Sequence, residues 1–277
     1  MEKYCYFNGR IMPLGRAALP LNDIGVLRGY GVFDFLRTYD GHPFLFDQHW
    51  RRFSNSAESL GLKIPLGKTR VAKIIKDLIR KNKLKEGAVR LVLTGGASDD
   101  SLHFNPKRAN FFILISRVPS YNSGDYQRGV SLLASEFKRE LPRIKSNNYI
   151  TAVKFKNSPR ARRHNELLYH YDNEILEGAT SNFFLFKKNI LITPQGGILS
   201  GITRNFVMEL AKSKFKVVER SVKLKELTQA DEAFITNSTK EILPVVRIGR
   251  IKIGNGRPGP NTKLLMSIFK ERAAKRR

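Results

Sequence analysis

Lys145 lies in the run Arg143-Ile144-Lys145-Ser146-Asn147-Asn148-Tyr149. Thirty-two residues further on comes Glu177-Gly178-Ala179-Thr180-Ser181-Asn182, followed by Gly201-Ile202-Thr203-Arg204. In that order the chain offers an amine for a Schiff base, a carboxylate for a pyridine nitrogen and a glycine-led helix start for a phosphate. Pyridoxal phosphate brings its own electron sink and asks a protein for those three handles. The neighbours Pro142, Ile144 and Tyr149 point to a partly buried Lys145, a setting in which an amine serves as a nucleophile. A carboxylate at the ring nitrogen favours the protonated ring, which strengthens electron withdrawal from the substrate Cα. Gly201 precedes an amphipathic pattern, so backbone N–H groups and the positive end of a helix dipole are offered to an anion. Thr236-Asn237-Ser238-Thr239, after a strand-like stretch, offers hydroxyls and amides of the same kind. Taken singly these are a solvated lysine, a glutamate in a turn and two helix caps, and their combination and order carry the reading.

The elements that must position these groups are legible from periodicity. Residues 4–7 and 10–12 read as strands around Asn8-Gly9, a pair that tolerates the positive φ of a two-residue hairpin turn. Residues 31–39 form an apolar strand ended by Asp40-Gly41, with a short partner at 43–46. Asp47 is placed to cap a helix carrying Trp50, Phe53, Ala57 and Leu60 at helical spacing, closed by Gly61. Residues 68–82 set Val71, Ile74, Ile75, Leu78 and Ile79 on one stripe, the pattern of a helix docked on a sheet. Strands are expected at 88–94 and 110–117, with a loop over 95–108. Residues 119–128 are rich in turn formers without periodicity, which predicts a linker between an N-terminal domain (1–118) and a C-terminal one (129–277). Beyond it come strands at 129–137, 166–171, 174–176, 182–186, 190–193, 233–236 and 245–248, a helix over 200–215, and a last helix capped by Asn261. The expected class is α/β (α+β).

With 277 residues, 41% of them hydrophobic, the chain can bury a substantial core. Its net charge of +26, from 50 Lys+Arg against 24 Asp+Glu, is spread along the whole length, and only residues 270–277 form a cluster. That distribution points to a lysine-rich surface rather than a nucleic-acid face. A single cysteine, Cys5, excludes an internal disulfide framework. The five histidines show no metal-ligand spacing, so no metal is expected. No apolar run is long enough to cross a bilayer, and the polar start Met1-Glu2-Lys3-Tyr4 lacks a signal-peptide core, so a cytoplasmic location is expected.

These motifs resemble the fold-type IV pyridoxal-phosphate enzymes, the class IV aminotransferase family that includes branched-chain aminotransferases, D-amino-acid transaminases, (R)-amine transaminases and aminodeoxychorismate lyase. The resemblance runs through Asp23-x-Gly25, Gly29-x-Gly31, His49-x-x-Arg52 with Ser56-Ala57, Lys145, Glu177-Gly178 to Asn182, Gly201 to Arg204, and Asn237 to Pro244. It implies that Lys145 is the Schiff-base lysine and that Glu177 meets the pyridine nitrogen. Arg52, Ile202, Thr203, Ser238 and Thr239 would hold the phosphate, and Tyr149 would lie near the cofactor's phenolic oxygen. It further implies a small N-terminal α/β domain, a larger C-terminal domain with the active site between them, and a homodimer. One stretch departs from the family: 154–163 is basic and interrupted by Pro159, where most relatives continue a helix.

Within the family, residues 88–96 lack the Tyr-x-Arg type signature of branched-chain enzymes, and 98–101 lack the Arg-x-His pair of the best-known D-amino-acid transaminases. Leu27-Arg28-Gly29-Tyr30-Gly31 and Arg90-Leu91-Val92-Leu93-Thr94-Gly95-Gly96 instead resemble a group of D-amino-acid transaminases in which two other arginines take the substrate carboxylate. That resemblance assigns Arg28, Arg90 and Phe33 to the substrate, Arg28 reaching in from the neighbouring subunit. Arg90 stands among Val89, Leu91, Val92 and Leu93, where a charge needs a functional cavity to face, and two arginines make a fitting α-carboxylate trap. The reading is a D-amino-acid transaminase with a 2-oxo acid such as 2-oxoglutarate as acceptor. The alternatives are a branched-chain L-amino-acid aminotransferase and aminodeoxychorismate lyase. A compositional basic surface makes a direct prediction: binding to mixed-sequence DNA, followed by fluorescence anisotropy, should be weak and vanish at moderate salt.

Overall fold

Asn8 and Gly9 take φ of 39° and 103° and turn β1 (Tyr4–Phe7) into β2 (Arg10–Pro13), as their side chains permit. The computed structural model describes residues 3–275. Within that range the chain divides into two units, one of residues 3–119 and 144–148, the other of 120–143 and 149–275.

The first unit continues through α1 (Ile24–Leu27), β3 (Gly31–Tyr39), β4 (His42–Pro43), α2 (Phe46–Ser59), α3 (Lys68–Lys81), β5 (Ala88–Thr94) and β6 (Asn110–Ser116). Its six strands form one sheet in the order β2-β1-β6-β5-β3-β4. Side chains alternate along a strand, so Val32 and Leu36 of β3, with Val89, Leu91 and Leu93 of β5, share one core with Phe53 and the α3 stripe. Phe33 and Phe35 lie opposite Val92 and Arg90 and belong to the other face. The segment around Lys145 extends this sheet beside the start of β3: Phe33 N–H donates to the Lys145 carbonyl at 2.9 Å and Asn147 N–H to the Gly31 carbonyl at 3.0 Å.

The second unit holds α4 (Ser123–Arg128), β7 (Val130–Glu136), α5 (Ile150–Lys156), β8 (Glu166–Tyr171), β9 (Glu174–Gly178), β10 (Asn182–Lys187) and β11 (Ile190–Thr193). After these come α6 (Ile202–Ala211), β12 (Lys216–Glu219), β13 (Val222–Lys223), β14 (Glu232–Asn237), β15 (Glu241–Ile248), β16 (Ile251–Lys252) and α7 (Pro260–Lys275). The ten strands make a mixed sheet ordered β12-β11-β10-β14-β15-β7-β8-β9-β13, with β16 beside β15. β7 runs parallel to both β8 and β15. Parallel neighbours need a long crossover, and residues 137–165, Lys145 among them, are the one between β7 and β8.

Several elements differ from the sequence reading. Asp47 is not the cap of α2, which starts at Phe46 after Leu45 in a left-handed conformation (φ 50°); the Asp47 carboxylate accepts from Lys68 at 3.0 Å. Asn261 is already inside α7, whose first N–H groups are taken by the Glu232 carboxylate at 3.0 and 2.7 Å. A carboxylate there also answers the helix dipole. Residues 119–128 are not featureless: α4 forms from Ser123, with the Asn122 side chain accepting from Gly124 N–H. The basic stretch after Lys145 folds as α5 and a 3-10 turn beginning at Pro159. Strand β12, which sequence reading missed, adds in parallel to β11.

Phe53 is fully buried, with its ring centroid 6.2 Å from Trp50 and 6.1 Å from Phe111. Phe53→Ala should therefore lower unfolding free energy by about 3–5 kcal/mol, read as a lower urea midpoint.

Candidate active site

In the first unit, Lys145 is fixed by its backbone. Its N–H donates to Ser56 Oγ of α2 at 3.2 Å, while its carbonyl accepts from β3. The approach requires Gly31, because a Cβ there would lie 2.6 Å from Asn147 Nδ2 and 2.8 Å from the Leu93 carbonyl oxygen. Held in this way, the Lys145 ammonium stands 4.6 Å from the Phe33 ring centroid. The Arg90 guanidinium stands 5.0 Å from the same ring and 5.0 Å from that of Phe35. Arg90 is exposed, so the argument from its apolar neighbours needs correcting. Val89, Leu91 and Leu93 point into the core on the opposite face, and the guanidinium stands against aromatic rings.

Arg52 lies one turn along α2 from His49, and both reach Asp34, a carboxylate fully buried in β3. Arg52 donates Nε–H to Oδ2 at 2.8 Å and Nη2–H to Oδ1 at 2.9 Å, a two-pronged charge-assisted contact. Burial lowers the His49 pKa despite the facing carboxylate, so the ring is neutral near pH 7 and donates from Nδ1 to Asp34 Oδ1 at 2.6 Å. Burial alone would raise the Asp34 pKa, but the Arg52 charge and His49 overcome it and hold the carboxyl well below the usual range. Arg28 ends α1 on the surface, its Nη1 donating to the Leu27 carbonyl at 2.9 Å, and it is the one candidate in this unit that is not gathered around Lys145, Phe33 or Asp34.

In the second unit Glu177 sits buried at the end of β9. Arg139 donates to its Oε1 from Nε at 2.9 Å and from Nη2 at 2.5 Å, while Oε2 accepts from Leu199 N–H at 3.1 Å and from Asn182 Nδ2 at 3.4 Å. Asn182 also joins this carboxylate to the start of α6: a Cβ on Gly201 would overlap Asn182 Oδ1, so only glycine fits there. No side chain caps α6, and Ile202 and Thr203 in its first turn are buried. Thr239 follows β14, its Oγ1 2.9 Å from the Tyr121 hydroxyl and its N–H donating to Asn237 Oδ1 at 3.1 Å. Ser238 is half-buried beside it. Tyr149 caps α5 and packs on the cluster formed by Ala152, Phe155 and Tyr169.

Sequence reading missed Asp34, Arg139, Glu166, Lys240 and Tyr121. Asp34 and Glu166 leave a trace, being charges inside apolar strands, whereas Arg139 and Lys240 are two cations among fifty.

The residues present suit pyridoxal phosphate: a lysine held by its backbone, a buried carboxylate fixed by four donor groups, and an uncapped helix start with buried Thr203. Among the described residues no group of side chains could hold a metal ion, and no helix is long and apolar enough to cross a membrane. The two sheets with these groups define a fold-type IV architecture. The family model for Amino-transferase class IV matches residues 31–248, and the chain belongs to that family, whose cofactor is pyridoxal phosphate.

The chain is 34% identical to a protein of Methanocaldococcus jannaschii named "Putative branched-chain-amino-acid aminotransferase", with 96% of this chain and 95% of that one covered. It is 31% identical to the D-alanine aminotransferase of Bacillus licheniformis, covering 93% and 92%. Among solved structures, the branched-chain amino acid aminotransferase of Escherichia coli superimposes with a TM-score of 0.91 at 26% identity, covering 98% of this chain and 94% of that one.

The buried Asp34 generates a test. Asp34→Asn should cost about 3–5 kcal/mol of stability at pH 7, as expected when one partner of a buried ion pair is removed. Because the folded carboxyl has a lowered pKa, its contribution is complete above about pH 4 and is lost as pH falls toward the folded value. Urea unfolding at stepped pH should show the gap to wild type constant down to about pH 4 and closing below it.

Proposed function

We propose that this class IV aminotransferase is a D-amino-acid transaminase that passes the amino group to a 2-oxo acid such as 2-oxoglutarate. The observation that carries this reading is the shared Phe33 ring, which has the Lys145 ammonium 4.6 Å away and the Arg90 guanidinium 5.0 Å away. It supports an α-carboxylate anchor close to the amine that works on Cα.

Bound pyridoxal phosphate supplies the electron sink that makes the substrate Cα–H acidic. Lys145 Nζ would take that proton from the substrate Cα and hold it for return. Glu177, held in one orientation by Arg139, Asn182 and Leu199 N–H, would bring its negative charge to the ring nitrogen. The first turn of α6 at Ile202 and Thr203, the hydroxyls of Ser238 and Thr239, and Arg52 would hold the phosphate, and Tyr149 would lie near the phenolic oxygen. Arg52 turns its Nε and Nη2 toward Asp34, which orients the guanidinium.

The enzyme acts as a homodimer in this proposal, with Arg28 serving the partner's site. Exposed Leu21, Val26 and Leu27, at 91%, 61% and 39% of their accessible surface, precede Arg28 in sequence and support an apolar surface that a second copy covers. The relatives' names support a second reading equally, a branched-chain L-amino-acid aminotransferase; D or L turns on the side of the cofactor from which the carboxylate is held.

The deciding experiment adds D- and L-amino acids separately to the holoenzyme and follows the cofactor absorption band; a response to L-leucine or L-valine alone would replace the first reading by the second. Lys145→Ala should cut turnover by about 10²–10⁴-fold or more. Arg90→Ala should raise KM for D-amino acids about 10–100-fold while leaving the cofactor band intact. Mixed Lys145→Ala and Arg28→Ala subunits should regain activity on exchange, since one site of each hybrid then carries neither lesion. Hybrids as poor as their parents would place Arg28 in its own chain's site or outside it.

A further inference from the structure

Glu166 is a buried carboxylate on β8, 2% exposed, that no step above uses. Its Oε1 accepts from Thr180 N–H at 2.5 Å, Thr180 Oγ1 at 3.0 Å and Ser181 Oγ at 3.0 Å. A Cβ on Gly178 would lie 2.8 Å from this oxygen. The turn that follows Glu177 is thus wrapped around Oε1. The other oxygen, Oε2, is paired with the Lys240 ammonium, which also donates to Thr180 Oγ1 at 3.3 Å.

Lys240 is the residue after Thr239. Its loop meets the same turn a second time, through Asn237 Nδ2 donating to the Thr180 carbonyl at 3.2 Å, and Asn237 Oδ1 accepts from Lys240 N–H at 2.7 Å. Tyr126 OH donates to the Lys240 carbonyl at 3.0 Å. The next residue, Glu241, is held at φ 59°, a left-handed conformation that a non-glycine residue adopts only when its surroundings impose it. A loop that ends in an unfavourable backbone residue is fastened at the residue just before it by a buried ion pair.

We propose that Lys240 is a positioning residue for the cofactor's phosphate: paired with Glu166, it locks the 237–240 loop to the turn after Glu177 and so sets Ser238 and Thr239 at their binding positions. This rests on the reading of those two hydroxyl residues as phosphate ligands. The ammonium is engaged by a buried carboxylate, so its effect is exerted through the loop and not as a phosphate ligand of its own. A geometric lock of this kind makes a distinctive demand, because it governs the phosphate end of the cofactor and leaves the ring end, held by Glu177, alone.

The test titrates apo protein with pyridoxal 5'-phosphate and, separately, with pyridoxal, which lacks the phosphate. Lys240→Met should weaken pyridoxal phosphate binding about tenfold or more and change pyridoxal binding by less than about twofold. Lys240→Arg, which keeps the charge, should recover most of the loss. Lys240→Met alone leaves a buried charge unpaired, so the double variant Lys240→Met/Glu166→Gln provides a neutral pair; it should fold, as circular dichroism and thermal melting report, and keep the phosphate-specific deficit. Wild-type affinity for pyridoxal phosphate in the double variant, or equal losses for both ligands, would overturn the proposal. Ser238→Ala/Thr239→Val separates the two levels. Undiminished pyridoxal phosphate binding there would remove the loop as a phosphate site, whereas a loss there with none in the Lys240 variants would remove Lys240 alone.

Discussion

Three carboxylates taken out of water organise this protein, and each is matched to a cation that comes from a different element. Asp34 of β3 meets Arg52 of α2, Glu177 of β9 meets Arg139 from the chain after β7, and Glu166 of β8 meets Lys240 from the turn before β15. A buried carboxylate left without partners costs several kcal/mol, so each needs donors once the strand has placed the acid inside. Each is completed by neutral donors: the His49 ring for Asp34, Leu199 N–H and Asn182 for Glu177, and Thr180 and Ser181 for Glu166. The arrangement trades some stability for direction, because a carboxylate with both oxygens bound has one orientation available to it.

That rigidity suits the proposed chemistry. Four donor groups hold the Glu177 carboxylate in one orientation, as the role proposed for it beside a flat ring requires. The role proposed for Lys145 asks for the opposite: a fixed backbone and an amine that can move. Its main chain is tied to Ser56 and β3, while the four-carbon stem ends over the Phe33 ring. Glycine enters this design at Gly31 and Gly201, where the approach of Asn147 and Asn182 leaves no room for a Cβ.

The surroundings of Arg90 are built differently. Arg90 is exposed on the aromatic face of the first sheet, and cation–π contacts with Phe33 and Phe35 orient it. Aromatic rings steady a guanidinium while leaving it cationic, as the carboxylate-binding role proposed for Arg90 requires.

Periodicity and turn chemistry carried most of the secondary structure. β3, β5, β8 and β11 and the Asn8-Gly9 turn stand where alternation and backbone tolerance put them, because these signals are local. The order Lys145, Glu177, Gly201-Ile202-Thr203 was enough to indicate the cofactor, since a cofactor with three chemical handles constrains residue types strongly. Other features were settled in three dimensions. Leu45 begins α2 where Asp47 was the expected cap, because a positive-φ residue and the docking of Phe46 and Trp50 on the core outweigh a side-chain cap. Glu232 caps α7 from a distant strand. The sequence by itself determined which chemistry the chain can perform and where its strands run. The partners of its buried charges were decided by the tertiary structure, because any of fifty cations can satisfy a carboxylate until packing brings one of them to it.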